Sequence, residues 1–269
     1  KEKQRNLVKG NQNVIKARFN DASFFIHEDL KKKLDERILN LKKIVFYKNA
    51  GTLFQRAMRI QLMVKKILEK NNKNHKHINH LNLSNADLTT DLVKEFPNLQ
   101  GKVGGYYAQI EKIPTDVCLA ISDQYEYEFD ESYSNYLTFI LSIAQKFDLL
   151  FGYFMSYGKL SGAGDPFAVR RSSLSIIKIC IDKKIDINFS ELFIYLRSLY
   201  EEQNLEVKIE FKLIEDFFKK RIEVLFSDLD FNSNVISASL KKSSMNPYVI
   251  SEKIKSLSEF INSKSGEDF

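Results

Sequence analysis

The stretch SNADLTTDLVKEFPNLQGKVGGYYA, residues 84–108, decides how this chain folds. Ser84 and Asp87, three residues apart, form a capping-box-like pair at a helix start. Leu88, Leu92 and Phe96 then recur at four-residue spacing with Val93 beside them, which makes one face apolar. Pro97 cannot donate to the helical ladder, so it either ends a helix or opens a new one in its first turn. Gly101, Gly104 and Gly105 present backbone without side chains, where another backbone can come close. Tyr106 and Tyr107 add large amphipathic rings. The stretch predicts two short helices meeting at a proline corner, with a glycine face for a third helix.

The rest of the chain extends that pattern. Its 269 residues are 43% hydrophobic, enough to bury a sizeable core in one or two domains. Only four prolines and ten glycines are present, which favours long helices over many short strands. Residues 28–48 carry Leu30, Leu34, Ile38, Leu41 and Val45 at helical steps, and Gly51 is placed to end that helix. Residues 52–69 repeat the pattern with Leu53, Ala57, Ile60, Val64, Ile67 and Leu68, while Arg56, Arg59, Lys65 and Lys66 decorate the remaining faces. Thr115 or Asp116 caps a further helix, and residues 123–136 form an acidic, tyrosine-rich loop. Residues 137–155 are the most apolar helix, and amphipathic helices follow over 186–202 and 207–225. A short helix lies near 235–240, whereas residues 1–20 are expected to be extended or irregular, with Asp21 capping a short helix through Phe24 and Phe25. The fold class is all-α, with no sheet of three or more strands.

The formal net charge of +6, from 41 Lys and Arg against 35 Asp and Glu, permits a nucleic-acid partner without requiring one. Cys118 and Cys180 lie far apart in apolar runs, as buried reduced thiols of a cytoplasmic protein do. No apolar run approaches the roughly 20 residues that span a bilayer, so no membrane partner is expected. The polar first residues lack a signal-peptide core.

The words themselves resemble a family. DLTTDLVKEFPNLQGKVGGYYA is similar to the A-D-L-x-T-x-M-V-x-E-F-x-x-x-Q-G-x-M-G-x-x-Y-A stretch of the β subunit of bacterial tetrameric glycyl-tRNA synthetase. DASFFIHEDLKKKL (21–34), VFYKNAGTLFQRAMRI (45–60), AQKFDLLFGYF (144–154) and GDPFAVRRSSLSIIKI (164–179) agree in the same order, so the resemblance covers most of residues 11–240. It implies a helical domain shaped like the HD phosphohydrolases over 21–205, preceded by an upstream linker over 1–20. Residues 206–269 become a helical extension towards a further C-terminal domain. The chain begins at Lys1 and is shorter than the family's β subunit, so it is expected to be a piece of one. The implied role is to position tRNA(Gly) for an active site on the separate α subunit. ATP with Mg serves the whole enzyme, and this piece holds no catalytic residue and no cofactor of its own.

An HD metal centre needs a His, a His-Asp pair and a distant Asp to hold divalent ions. Here the dipeptide is Ala86–Asp87, and Gln145 stands where the A-D-K-x-D word carries its first Asp. A metal-dependent nucleotide phosphohydrolase is therefore the weaker alternative, and a protein-only interdomain scaffold is a third reading. His75, His77 and His80 lie within six residues, but their Asn- and Lys-rich loop offers no cysteine or acidic partner nearby in sequence, so no metal is expected. The glycine-rich SYGKLSGAGDP lacks the Gly-Lys-Ser/Thr ending of a phosphate-binding P-loop. Asp165 before Pro166 is placed to cap the helix that follows. Asp148 in its apolar helix needs a cation, and Arg170 is expected to supply it. Lys102, Lys159 and Arg171, each at a glycine-flexed corner or a helix start, are the expected phosphate contacts of tRNA. The basic run Lys31, Lys32 and Lys33 is read as a solvated face.

Overall fold

A computed structural model of the chain describes residues 2–261 and 263, apart from 131, 132, 134, 161, 163, 166, 242 and 243, with side chains from residue 9 onward. Among these residues the fold is helical without a strand; one isolated antiparallel bridge joins Val45 to Thr52. The order is α1 (Glu2–Asp29), α2 (Leu34–Ile38), α3 (Leu53–Lys70), α4 (Asp91–Glu95), α5 (Lys102–Ile110), α6 (Thr115–Asp123), α7 (Tyr136–Tyr157) and α8 (Val169–Asp182). Then come α9 (Phe189–Glu202), α10 (Phe211–Ser227), α11 (Ser233–Leu240) and α12 (Pro247–Ile261). Short 3-10 segments cover Leu39–Lys43, Ile78–Thr89 and Pro97–Leu99.

The body is built around α7. Nearly all of its residues from Leu137 to Met155 are buried, and α3, α6 and α8 pack along it. Phe147 and Phe151 meet Phe189, Phe193 and Tyr200 of α9, while Phe147 and Phe154 meet Phe218 and Phe217 of α10. By length and composition α7 would suffice to cross a membrane, yet 94% of its apolar window is buried by the other helices. Helix α3 starts at a complete capping box: Gln55 N donates to Thr52 Oγ1 and Thr52 N to Gln55 Oε1.

The proline corner and the glycine face take the expected form, with one change. Helices α4 and α5 meet through the 3-10 turn opened by Pro97, and α6 packs on the glycines of α5. A Cβ at Gly105 would stand 2.7 Å from Cys118 O and 2.7 Å from Ser122 Cβ, so only glycine allows α5 and α6 this separation. Ser84 and Asp87, however, do not start a helix. Both are buried in the 3-10 segment Ile78–Thr89, and Thr90 caps α4 instead, accepting from Val93 N at 3.2 Å. The Asp87 carboxylate is used elsewhere, as described below.

The N-terminal region departs from expectation. Residues 1–20 are not extended: α1 runs from Glu2, and Asp21 lies inside it. Its residues 9–21 are exposed, including Val14, Ile15 and Phe19, so no amphipathic stripe announces the helix. The single helix expected over 28–48 is broken after Asp29. Asp29 accepts from Asp91 N at 2.9 Å, Leu92 N at 3.0 Å and Arg37 Nη2 at 3.2 Å, which ends α1 and turns the chain into α2. Of the five apolar residues in that stripe, Leu34, Ile38 and Leu41 are buried, whereas Leu30 and Val45 are exposed. Gly51 sits at φ +77° in the turn before α3, so it ends a turn and not a helix.

Gly105→Ala is expected to destabilise the fold by about 1–3 kcal/mol, because backbone lies on the far side of the contact and cannot yield as a flexible side chain would. Urea unfolding reads this out, and an unchanged midpoint would show that α5 and α6 separate freely.

Candidate functional site

Two buried polar centres and one charged rim carry the chemistry of this fold. The first centre is Asp148, fully buried on α7. Its partners are two arginines of α3. Arg59 Nε donates to Oδ1 at 2.8 Å and Arg56 Nε to Oδ2 at 3.2 Å. The expected Asp148–Arg170 pair is thus corrected. Arg170 at the start of α8 donates to the carbonyl oxygens of Gly162 and Gly164, which fold back under it. Arg56 and Arg59 were assigned to the decorated faces of α3, yet both are buried. The signal was their spacing: Arg56, Ile60, Met63 and Ile67 follow one three-and-four stripe, with Arg59 beside it.

Two cations around one carboxylate leave a positive charge to be satisfied. Arg59 also donates to Gln203 Oε1 at 2.7 Å and Tyr200 Oη at 3.0 Å, and Arg56 donates to Gln145 O at 3.0 Å. The Arg59 guanidinium lies 3.7 Å from the Tyr200 ring centroid, and that of Arg56 lies 4.3 Å from the Phe46 ring. Burial, with Asp148 adding to it, pushes the Tyr200 phenol far up, so it stays neutral.

The second centre joins the 3-10 segment Ile78–Thr89 to α5, α6 and α7. Asp87 Oδ2 accepts from Gly101 N at 2.6 Å and Gly104 N at 3.2 Å, capping the N-terminus of α5 from a distant segment. Asp87 Oδ1 is buried without a hydrogen bond. Burial raises this carboxyl to about 6, against the pull of the two amides. Gln145, at the position expected to lack a metal ligand, donates to Asn85 Oδ1 at 3.2 Å and Gln124 Oε1 at 2.5 Å. Next to it the Lys146 ammonium is enclosed by Ser142 Oγ and by the carbonyls of Gln124 at 3.3 Å and Glu126 at 2.6 Å. Burial lowers Lys146 to about 7, with the Glu126 carboxylate pulling the other way.

These groups bond chiefly to one another and to nearby backbone, with Asp87 Oδ1 and Gln145 Oε1 left without a hydrogen bond. Among the described residues no three His, Cys, Asp or Glu side chains are arranged to hold a metal ion. In the histidine cluster His75 Nε2 stands 2.7 Å from Asp116 Oδ2, an acidic partner 41 residues away that sequence spacing did not reveal. His75 Nδ1 accepts from His77 N, and the His77 ring is 6.2 Å from that of His80.

The expected phosphate contacts occupy the surface in different states. Lys102 is held between Asp123 at 2.8 Å and Glu126 at 2.9 Å. Arg171 is exposed, 3.6 Å from Asp165 and above the Tyr127 ring. Lys159 is exposed and makes no ion pair among the described residues. Asp165 does cap α8, but from outside it: the helix begins at Val169, and the carboxylate accepts from Arg170 N at 3.0 Å and Arg171 N at 3.2 Å. Pro166, expected in the first helical position, lies outside the described residues. The structure brings Lys159 and Arg170 together along one groove with Lys219, Lys220 and Arg221 of α10, which the sequence reading had not singled out.

The geometry of the Asp87–Gly101 corner, the arginine-held Asp148 and the α8 start rests on the same words that carry the resemblance. Residues 1–241 match the pattern of the glycyl-tRNA synthetase beta subunit family. The chain belongs to that family. It is similar to the glycine–tRNA ligase beta subunit of Buchnera aphidicola subsp. Acyrthosiphon pisum (strain Tuc7), with 37% identity over 264 residues, 97% of this chain and 38% of that relative. It is also similar to the subunits of Rickettsia africae (strain ESF-5), 32% identical over 97% of the chain, and Hahella chejuensis (strain KCTC 2396), 31% identical over 95%. The chain spans 38% of the length of the Rickettsia relative and 37% of the Hahella one, so the family's full subunit is more than twice as long.

Two outcomes test these centres. Arg59→Ala leaves Asp148 short of its closest partner and is expected to cost about 3–5 kcal/mol, whereas Arg170→Ala costs much less; chemical unfolding of the two variants compares them. The Asp87 carboxyl has a folded value of about 6, above the ordinary 3.8, so the stability it contributes is full below about pH 4 and is lost as pH rises through 6. Relative to Asp87→Asn, the unaltered protein is therefore expected to lose on the order of 3 kcal/mol between pH 4 and 7. Parallel stability curves for the two proteins across that range would refute the assignment.

Proposed function

We propose that this chain is the part of a tetrameric glycyl-tRNA synthetase β subunit that helps position tRNA(Gly) for glycylation. In this reading, glycine and ATP with Mg form glycyl-adenylate on the α subunit, and glycine then passes to tRNA in the cytoplasm. The chain supplies binding surface and scaffold, and none of its residues touches the reacting atoms. One observation carries the reading: the similarity to named glycine–tRNA ligase beta subunits extends over nearly the whole chain.

The HD-like outline belongs to the same reading. It is supported by the burial of Asp87 and Gln145, which come from the dipeptide and helix positions that the resemblance aligns with metal ligands. Here backbone amides take one oxygen of Asp87, and side-chain oxygens take the Gln145 amide nitrogen. Nothing in their surroundings favours phosphohydrolase chemistry.

Among the expected phosphate contacts the states of pairing set an order. Lys159 makes no ion pair among the described residues, Arg171 shares its charge with one carboxylate, and Lys102 is held by two. In the α–β assembly Lys159→Ala is expected to weaken tRNA binding several-fold, with the loss greatest at low salt, and Lys102→Ala to change it least. Filter binding at two salt concentrations measures this. Equal affinity of all three alanine variants and the unaltered assembly would favour the interdomain-scaffold reading instead.

A further inference from the structure

The groove where the C-terminal end of α7 and the start of α8 face α10 is a strongly charged concavity with a volume of about 470 Å³. Its rim and floor differ in chemistry. Five cationic and two acidic side chains line it, leaving three positive charges in excess. Asp216 is already paired with Lys212 at 2.9 Å and Lys219 with Glu215 at 2.6 Å, so neither sets the groove's preference. Lys159 and Lys220 face it with no ion pair among the described residues, and Glu223 is the acid that opposes them. Arg170 donates to the Gly162 and Gly164 carbonyls at the rim.

The floor is aromatic. Phe217 contributes a half-buried ring, held edge-on by the buried Phe154 at 5.2 Å. The Arg221 guanidinium lies 5.6 Å from the same ring, and its Nε is buried with no hydrogen-bond partner. A purely ionic patch has no use for such a floor. A duplex would touch only the rim, because its bases are already stacked on each other. An unpaired nucleotide fits both parts: its phosphates meet Lys159 and Lys220, and its base covers the aromatic floor.

We propose that this groove binds an unpaired RNA segment, phosphates on the Lys159–Lys220 rim and base against Phe217 and Arg221. The assignment rests on the tRNA-positioning reading and deepens it. None of Lys219, Lys220 and Arg221 was expected from the sequence, because α10 lies outside the words that carry the resemblance.

The test uses the full-length β subunit assembled with its α partner. Lys159→Glu with Lys220→Glu is expected to weaken tRNA(Gly) binding roughly tenfold or more and to lower the slope of log affinity against log salt by about 1.5, with an unchanged melting temperature. Lys159→Gln with Lys220→Gln keeps the test open if charge reversal prevents assembly. Phe217→Leu is expected to weaken binding of a short single-stranded RNA while leaving a blunt RNA duplex of equal length unaffected. A duplex that binds as tightly as the single strand, or a Phe217→Leu variant that binds both as before, overturns the unpaired-base assignment. Unchanged affinity and salt slope in the lysine variants overturn the groove altogether. Photocrosslinking of 4-thiouridine-substituted tRNA then separates the two readings. Crosslinks elsewhere in this chain leave the positioning role standing without the groove, and crosslinks to no part of it remove both.

Discussion

A carboxylate held by two guanidinium groups inside an apolar helix is the constraint on which this fold depends. A carboxylate at zero exposure requires cations beside it, and Arg56 and Arg59 could not be buried without an anion. Their requirement fixes the rotation of α3 against α7, because both arginines must point across the same interface. The second charge then reaches outward, to Gln203 and Tyr200 beyond α7, and so ties the end of α9 to the same point. Aromatic faces at Phe46 and Tyr200 complete the enclosure. The rest of the core, from Phe147 to Phe154, packs around a position that the charges have already set.

A second theme is the use of acids from elsewhere in the chain to finish helix starts. A helix leaves its first amides without partners and carries partial positive charge there. Asp29, at the end of α1, accepts the first amides of α4. Asp87 does the same at the start of α5, and Asp165 at the start of α8. Asp29 and Asp87 thereby join segments that a local cap would have left independent, whereas Asp165 caps from the loop just before α8. At Asp87 this arrangement has a cost: one oxygen has two amides while the other has nothing, and burial raises the carboxyl to about 6.

The surface shows how pairing decides which cations are available. Lys102 and Arg171 look alike in sequence to Lys159, each at a turn or helix start. Carboxylates brought close by the fold neutralise the first and share the second. The cations that remain facing a cavity come from two segments about 60 residues apart, and only the packing of α10 on α8 makes them one feature.

The sequence by itself determined the helical class, the proline corner, the glycine face and the burial of 137–155. All of these are local patterns, set by the helical period or by the special backbone of glycine and proline. The order of its words also determined the family. What only tertiary structure decided were the partners of charges. Asp148 was legible as a buried acid in need of a cation, but the choice of Arg56 and Arg59 over Arg170 depended on how α3 crosses α7. Likewise α1 was illegible because its residues 9–21 are exposed, so no apolar period was written into them. Ion pairs and caps between distant segments carry no period at all, and the spatial approach that creates them appears only once the helices are packed.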